Sequence, residues 1–206
     1  MIPYWRLSGY YFFYFAFIGA FSPYFSLYLQ SIGNTAAQIA VLMSLMSVMR
    51  MLAPALWGWL ADRLGARTTI VRVSAFLSLI GFAGFLVSDA YGALFASMAF
   101  LAFFWSAALP LVETLTFAHL QGQAGRYGNI RVWGSVGFIV AVLGLGYLLD
   151  DLPVAALLWI SLALLGGILF CALMIPEARA SSVPDVHVAL TEILRRPHVR
   201  ALLAAC

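Results

Sequence analysis

Long apolar runs alternate with short polar breaks along the whole chain. Each of six runs holds close to the ~20 apolar residues that a helix needs to cross a bilayer. We predict membrane-spanning helices over residues 7–30, 36–61, 69–88, 92–120, 127–149 and 154–175. Because the runs are continuous and do not alternate between polar and apolar residues, they favour helices over the strands of a barrel.

The composition agrees with a membrane protein made of helices. Hydrophobic residues make up 64% of the 206 residues and charged residues 9%, whereas a soluble domain carries roughly a quarter. The first apolar run is too long for a cleaved signal peptide, and further runs follow it. Cys171 and Cys206 suggest neither a disulfide nor a metal site.

The arginines near the ends of the predicted helices fall on one side of the membrane. They are Arg6, Arg63, Arg67, Arg72, Arg126, Arg179, Arg195, Arg196 and Arg200. The loops on the other side, at residues 31–35, 88–89 and 150–151, contain none. The positive-inside rule therefore predicts a multi-pass protein of the plasma (inner) membrane with both ends cytoplasmic. A net charge of +3 placed in this way gives no sign of nucleic-acid binding.

A weak internal repeat links the two halves of the apolar region. Residues 58–64 resemble residues 146–152, and that offset lays the first three predicted helices on the last three. Because three is an odd number, the second copy would be inverted, as is common in transporters. We predict an all-α integral membrane fold, a six-transmembrane-helix bundle built from two inverted three-helix repeats over residues 1–175. Residues 176–206 are predicted to form a cytoplasmic linker and the start of a truncated seventh transmembrane helix.

The end of the second predicted helix carries the pattern Gly-x-x-x-Asp-Arg-x-Gly-x-Arg. Its members are Gly58, Asp62, Arg63, Gly65 and Arg67. Gly58 would permit close helix approach, Asp62 can meet Arg67 or a neighbouring helix N-terminus, and Gly65 allows a tight turn. The pattern resembles the signature loop of the major facilitator superfamily. The resemblance implies a gating loop and the amino-terminal half of a twelve-helix transporter; a positively charged loop with a turn is the alternative.

Two opposite charges lie at similar depth inside the fourth and fifth predicted helices. Glu113 and Arg131 are both roughly 6–10 Å from the helix ends at about 1.5 Å per residue. Each would be costly to bury alone, so we expect pairing or access to water. Intramembrane charges favour a substrate-binding role, and a structural salt bridge is the alternative.

The residues around Arg131 also resemble a narrower branch of that superfamily. Tyr127-Gly128, Arg131, Trp133-Gly134-Ser135 and Gly137-Phe138, with a carboxylate before them, resemble the lactose permeases and phenylpropionate transporters. The resemblance implies that Glu113 and Arg131 bind substrate and that Phe138 lines the site. Phe138 stands where the sugar permeases have Trp, which weakens the case for a sugar.

Two further features of the first two predicted helices bear on the site. Arg50, near the middle of the second helix, could hold a substrate carboxylate, or pair with Glu113 or with a carboxylate in a second half of the protein. The first helix carries an aromatic stripe at helical spacing, which favours packing over lining of a cavity. The stripe consists of Tyr10, Tyr14, Phe17, Phe21, Tyr24 and Tyr28.

The resemblance to the major facilitator superfamily implies a secondary active transporter that works by alternating access. The resemblance implies proton symport of a small organic solute, an aromatic acid, a sugar or a nucleoside, with no cofactor or metal. The expected partners are this substrate, protons, the lipid bilayer and a missing carboxy-terminal six-helix half. No enzyme motif is found. A half-bundle fragment or assembly subunit without transport activity is the second hypothesis.

Overall fold

The computed structural model of the protein describes residues 2–120 and 123–177. In this part of the chain, Gly84–Leu86 and Ala124–Arg126 form short 3-10 turns. The long elements are the helices α1 (Tyr4–Ser31), α2 (Ala36–Leu64), α3 (Arg67–Ala83), α4 (Tyr91–Leu120), α5 (Tyr127–Asp151) and α6 (Ala156–Met174).

All six predicted spans are confirmed as helices that are long and apolar enough to cross a membrane. Most boundaries differ from the prediction by a few residues. The third span ends as an α-helix at Ala83 and continues as the 3-10 turn, so it is the one whose regular part is clearly shorter than predicted. The predicted linker and seventh helix lie in residues 178–206, outside the described residues.

The helix contacts repeat in the way that two inverted copies require. Helix α1 packs mainly on α5 and α6, and α4 packs mainly on α2 and α3. Exchanging α1 with α4, α2 with α5 and α3 with α6 turns the first set of contacts into the second. The remaining large contact, α3 with α6, maps onto itself. Each repeat therefore packs chiefly against the other and little within itself.

Helix α5 lies very close to α1 because small residues face it. A Cβ atom at Gly137 would meet the backbone of Phe12, including its carbonyl carbon at 2.9 Å, and a backbone atom cannot move aside as a side chain can. Gly144, further along α5, has open space around it. The glycines of α5 therefore approach the backbone of α1 most closely at Gly137, and a Cβ atom at Gly134 would also lie 2.7 Å from Phe15 of α1.

The aromatic stripe of α1 forms the centre of the bundle. All its members except Tyr24 are at most 4% exposed. Phe17 and Phe21 are stacked with centroids 5.3 Å apart, and both contact Phe82 of α3. The preferred interpretation, packing, is confirmed for most of the stripe.

Two arginines bind the carbonyl end of α6. Arg72 donates hydrogen bonds to the carbonyls of Ala172, Leu173 and Ile175, the last at 2.8 Å. Arg6 donates to the carbonyl of Met174 at 3.0 Å. The last carbonyls of a helix have no partner within it and form the negative end of its dipole, so both guanidinium groups stabilise α6. We call this side of the bundle the arginine-rich end.

The symmetry-related helices α2 and α5 bury the least of their surface. In the most apolar 18-residue stretch of each helix, 11% of the residues of α2 and 22% of those of α5 are buried inside the bundle. The corresponding share is 50% for α1 and for α4. Helices α2 and α5 are therefore the most open of the six, and the cavity described next is lined by residues of both.

Candidate functional site

A cavity of about 450 Å³ lies between α1, α2, α4 and α5. Its lining brings together two of the predicted site residues, Arg50 and Arg131. The other lining residues are aromatic, apolar or small: Tyr14, Phe15, Ile18, Met46, Pro54, Trp105, Ser106, Leu109 and Pro110. No carboxylate contributes to this lining, so the cavity carries two positive charges from its own wall.

The Arg131 guanidinium rests on aromatic rings. Its central carbon lies 4.0 Å from the ring centroid of Phe15 and 5.5 Å from that of Tyr11. A Cβ atom at Gly134 would lie only 2.9 Å from Nη1 of Arg131 and 2.7 Å from Phe15. Glycine at that position therefore leaves room for the arginine to lie back against its own helix and against Phe15.

Arg50 lies in the middle of α2 and is exposed. Arg50 and Arg131 thus line the cavity from different helices, which are the two least buried of the six. An aromatic face attracts a cation, but it is not a conventional hydrogen-bond acceptor for the N–H groups of arginine. The donors of these two side chains remain available to a molecule in the cavity.

Trp105 and Tyr14 form the aromatic floor of the cavity. Their rings are stacked with centroids 4.3 Å apart and an angle of 3° between the planes. The indole N–H of Trp105 is buried and has no hydrogen-bond partner among the described residues. Ser106, next to it, donates to the carbonyl of Phe103 at 2.8 Å.

Two of the residues that line the cavity are prolines, Pro54 of α2 and Pro110 of α4. Proline has no N–H, so it cannot bond the carbonyl four residues earlier in the helix. Those carbonyls belong to Arg50 and Ser106, two further lining residues. Each of these carbonyls therefore lacks its usual helical donor.

The predicted contact between Glu113 and Arg131 is not found. No oxygen of Glu113 lies within 4.0 Å of a nitrogen of Arg131 or Arg50, and the salt bridge found among the described residues is Arg67–Asp62. Glu113 is half-buried and accepts a hydrogen bond of 3.3 Å from the Tyr127 hydroxyl. Of the two expected outcomes, pairing or access to water, pairing is not observed, because each charge has a different partner: a phenol for Glu113 and aromatic faces for Arg131.

Phe138 lies outside the lining of this cavity. Its ring contacts α1, with Cδ2 3.3 Å from where a Cβ atom at Gly19 would lie, and the residue is 39% exposed. The structure thus brings Arg50 and Arg131 together and leaves Glu113 and Phe138 beside them. A binding role for these last two stays a prediction.

The predicted gating loop closes on itself at the arginine-rich end. Arg67 donates to Asp62 at 2.7 Å, and Gly65 ends α2 with a positive φ of 61°. The expected reason for Gly58 is wrong in this bundle, because nothing lies within 4 Å of a Cβ atom placed there. Gly58, Asp62 and Arg67 instead line a second cavity of about 310 Å³ between α2 and α4. Arg63 stacks over Trp59, 5.2 Å from its ring centroid.

Sequence reasoning missed Trp105, Phe15 and Tyr127 as members or supports of the site. Tyr127 belongs to the motif that carries the resemblance, but nothing in the sequence indicated that its hydroxyl would reach Glu113. Trp105 and Phe15 lie in apolar runs that look alike throughout the chain. No group of three or more His, Cys, Asp or Glu in the described ranges could hold a metal ion.

Comparison with known proteins gives a consistent family. The model of the MFS_1 like family matches residues 4–206. The chain is 33% identical to the maltose permease of Geobacillus stearothermophilus over 198 residues, which is 95% of this chain and 48% of the permease. It is 30% identical over 139 residues to the "Probable 3-phenylpropionic acid transporter" of Escherichia coli (strain K12), which is 66% of this chain and 36% of that protein.

Solved structures share the fold. The nucleoside transporter NupG superposes with a TM-score of 0.79 at 21% identity, covering 99% of this chain and 51% of that one. A mutant form of NupG gives a TM-score of 0.81. Several relatives match this chain along most of its length. The chain spans about half the length of each of these relatives. The six helices therefore correspond to one half of such a protein, and the chain belongs to the MFS_1 like family of the major facilitator superfamily.

Proposed function

We propose that the chain forms one half of a secondary active transporter for a small organic anion, with an aromatic carboxylate as the favoured substrate. The observation that supports this most directly is the cavity that Arg50 and Arg131 share without a carboxylate. Its volume of about 450 Å³ is within the usual range for small-ligand sites, roughly 300–1,000 Å³. A guanidinium inside a membrane needs a counter-charge or water, and a carboxylate fits its planar fork of donors.

The aromatic lining of the cavity supports an aromatic ring in the proposed substrate. Phe15, Tyr14 and Trp105 present flat apolar surface within the same cavity as the two arginines. An aromatic ring bound there would gain from stacking while its carboxylate meets a guanidinium. The relative named as a phenylpropionic acid transporter is consistent with such a substrate.

A sugar is the second candidate, because of the 33% identity to a maltose permease. Sugar hydroxyls donate to acceptors as well as accept from donors, and the carbonyls of Arg50 and Ser106 would serve as such acceptors. A nucleoside rests on weaker ground, since the likeness to NupG, at 21% identity, supports the fold alone. The absence of a carboxylate in the lining favours the anion over both.

Transport would follow the alternating-access scheme in which one six-helix bundle rocks against another. In this proposal the arginine-rich end faces the cytoplasm of a cell whose plasma (inner) membrane holds the protein. The Asp62–Arg67 loop serves as an inward gate that opens and closes at that end. Proton symport is part of the proposal, and Glu113, a half-buried carboxylate on a phenol, is the candidate for proton binding within this half.

A thermal-shift experiment on the purified full-length protein tests the substrate class. The probes are 3-phenylpropionate, its uncharged amide, maltose and uridine. We expect the carboxylate to raise the melting temperature and the amide to have little effect; at 100 times its Kd a ligand stabilises by about 2.7 kcal/mol. Stabilisation by maltose alone would establish the sugar candidate. If no probe changes the melting temperature, none of the three substrate classes is supported.

Uptake measurements complete the test. Proteoliposomes that contain the full-length protein should take up 3-phenylpropionate against its gradient when an inward proton gradient is imposed, and a protonophore should stop this uptake. Uptake that ignores the proton gradient would remove the symport part of the proposal and leave the binding part in place.

A further inference from the structure

We infer that Tyr127 is a positioning residue that holds the Glu113 carboxylate away from Arg131 and so keeps the arginine free for an anionic substrate. The inference rests on the proposed function for the substrate and on the observed contacts for the geometry. It assigns a role to a side chain that neither lines the cavity nor carries a charge.

The first step is that the Tyr127 hydroxyl has a fixed position. Its ring stacks on Phe117, with centroids 4.7 Å apart and 18° between the planes. It also meets the ring of Tyr11 edge to face at 6.5 Å. Neighbours from α4 and α1 therefore hold the phenol of α5, and its hydroxyl lies 3.3 Å from Oε1 of Glu113.

The second step is that Tyr127 and Arg131 compete for the same carboxylate. They are four residues apart in α5 and so share one face of that helix. Glu113 of α4 faces this pair and contacts the phenol and not the guanidinium. An ion pair in a region of low dielectric is stronger than a cation resting on a ring, so the observed arrangement needs something that keeps the charges apart.

The third step is that each charge contacts a tyrosine, and that the two tyrosines contact each other. The contacts run from Glu113 to Tyr127, from Tyr127 to Tyr11, and from Tyr11 to Arg131. Two aromatic rings thus connect the carboxylate to the guanidinium in place of direct contact. If the phenol released Glu113, the carboxylate could bind Arg131, and a substrate anion would then have to displace it.

The test is Tyr127→Phe, which removes the hydroxyl and keeps the ring. In ligand titrations of the purified full-length protein with 3-phenylpropionate we expect the Kd to rise about tenfold, as the loss of a hydrogen bond to a charged group allows. In a Glu113→Gln background the same exchange should raise the Kd no further, because no carboxylate remains to compete; binding is measured here because Glu113 is the proposed proton-binding residue and its loss would stop coupled uptake. Tyr4→Phe is the matched control, since the Tyr4 hydroxyl bonds Trp133 and the Asn129 carbonyl at the same end of α5.

Equal rises in the Kd in both backgrounds would overturn the inference, since they would mean that the hydroxyl acts on packing and not through Glu113. Thermal unfolding without ligand of the wild type, Tyr127→Phe, Glu113→Gln and the double variant gives a readout that does not depend on transport. The effects of Tyr127→Phe and Glu113→Gln should be non-additive, because the two side chains touch. Additive effects would also overturn the inference. A wild-type protein that ignores 3-phenylpropionate but keeps this coupling would instead defeat the proposed substrate.

Discussion

The arginines at the arginine-rich end and the arginines that line the cavity differ in the partners that their guanidinium groups contact. Arg72 and Arg6 donate to the last carbonyls of α6, and Arg67 donates to Asp62. Arg131 rests on two aromatic rings, and Arg50 lies exposed beside the same cavity. Neither forms a salt bridge within the described residues.

We propose that this difference separates structural cations from cations that bind the substrate. A guanidinium that already donates to carbonyls or to a carboxylate has few donors left and contributes to folding or closure. A guanidinium that only touches ring faces keeps its five donors unused, which is costly inside a membrane unless a ligand or water meets them. The contacts of an arginine, more than its depth, therefore indicate what it does.

The largest expected effect comes from Arg131→Ala. It removes a cation that we propose meets the substrate directly, so the affinity for 3-phenylpropionate should fall about ten- to a hundredfold, as for loss of a charge-assisted hydrogen bond. The melting temperature without ligand should change little, because Arg131 makes no salt bridge whose loss would leave a buried partner charge. Ligand-induced thermal shifts and uptake KM measure the affinity, and thermal unfolding without ligand measures the melting temperature.

Two variants sharpen that result. Arg131→Lys keeps the charge without the planar fork and should give an intermediate loss of affinity. Gly134→Ala keeps the arginine and moves it, since the added Cβ would lie 2.9 Å from its Nη1, whereas Gly144→Ala has open space and serves as the control. Full affinity in Arg131→Ala would place the anion elsewhere and remove the main support for the proposed site.

Arg72→Ala should have the reverse profile. The variant removes three hydrogen bonds to carbonyls at the end of α6, so the free energy of unfolding should fall by about 1–3 kcal/mol. Substrate affinity in the surviving folded protein should stay unchanged. Denaturation monitored by tryptophan fluorescence measures the first quantity and ligand titration the second.

Arg6→Ala is the matched comparison, because Arg6 makes one such hydrogen bond and Arg72 makes three. We expect the smaller loss of stability from Arg6→Ala. If Arg72→Ala instead lowered affinity and left stability intact, the distinction between structural and functional arginines would fail.

The bundle could be predicted from the sequence because it depends on averages over many residues. Six apolar runs of sufficient length give six helices whatever their detailed packing, and the inverted repeat follows from an odd number of spans per copy. The turn at Gly65 could be predicted for a similar reason, since few residues other than glycine adopt a positive φ easily.

The site could be predicted only in part, because it depends on which neighbour each charge selects. Glu113 and Arg131 lie in α4 and α5 as predicted, yet the contact of Glu113 with the Tyr127 hydroxyl and the space for Arg131 at Gly134 depend on how the helices pack. The joint placement of Arg50 and Arg131 depends on how α2 and α5 are arranged around α1 and α4. Helical periodicity within one segment carries no information on that arrangement.

The smallest expected effect tests the remaining arginine contact, through Asp62→Asn. The Arg67 and Asp62 side chains are 42% and 69% exposed, and a pair so open to solvent contributes at most about 1 kcal/mol. The free energy of unfolding should therefore change very little. If the pair belongs to a gate, the same small energy acts on the balance between open and closed conformations, and about 1 kcal/mol changes such a balance roughly fivefold.

Asp89→Asn is the matched control for that variant. Asp89 accepts a hydrogen bond of 3.3 Å from Tyr28 at the other end of the bundle, so the exchange of carboxylate for amide is the same and only its place differs. We expect Asp62→Asn to change the uptake rate while KM stays near its original value, and Asp89→Asn to change neither. Raising the salt concentration should reduce the difference between wild type and Asp62→Asn, because an exposed ion pair is screened. Equal uptake by the two variants would mean that the Asp62–Arg67 contact, like those of Arg6 and Arg72, only holds the fold together.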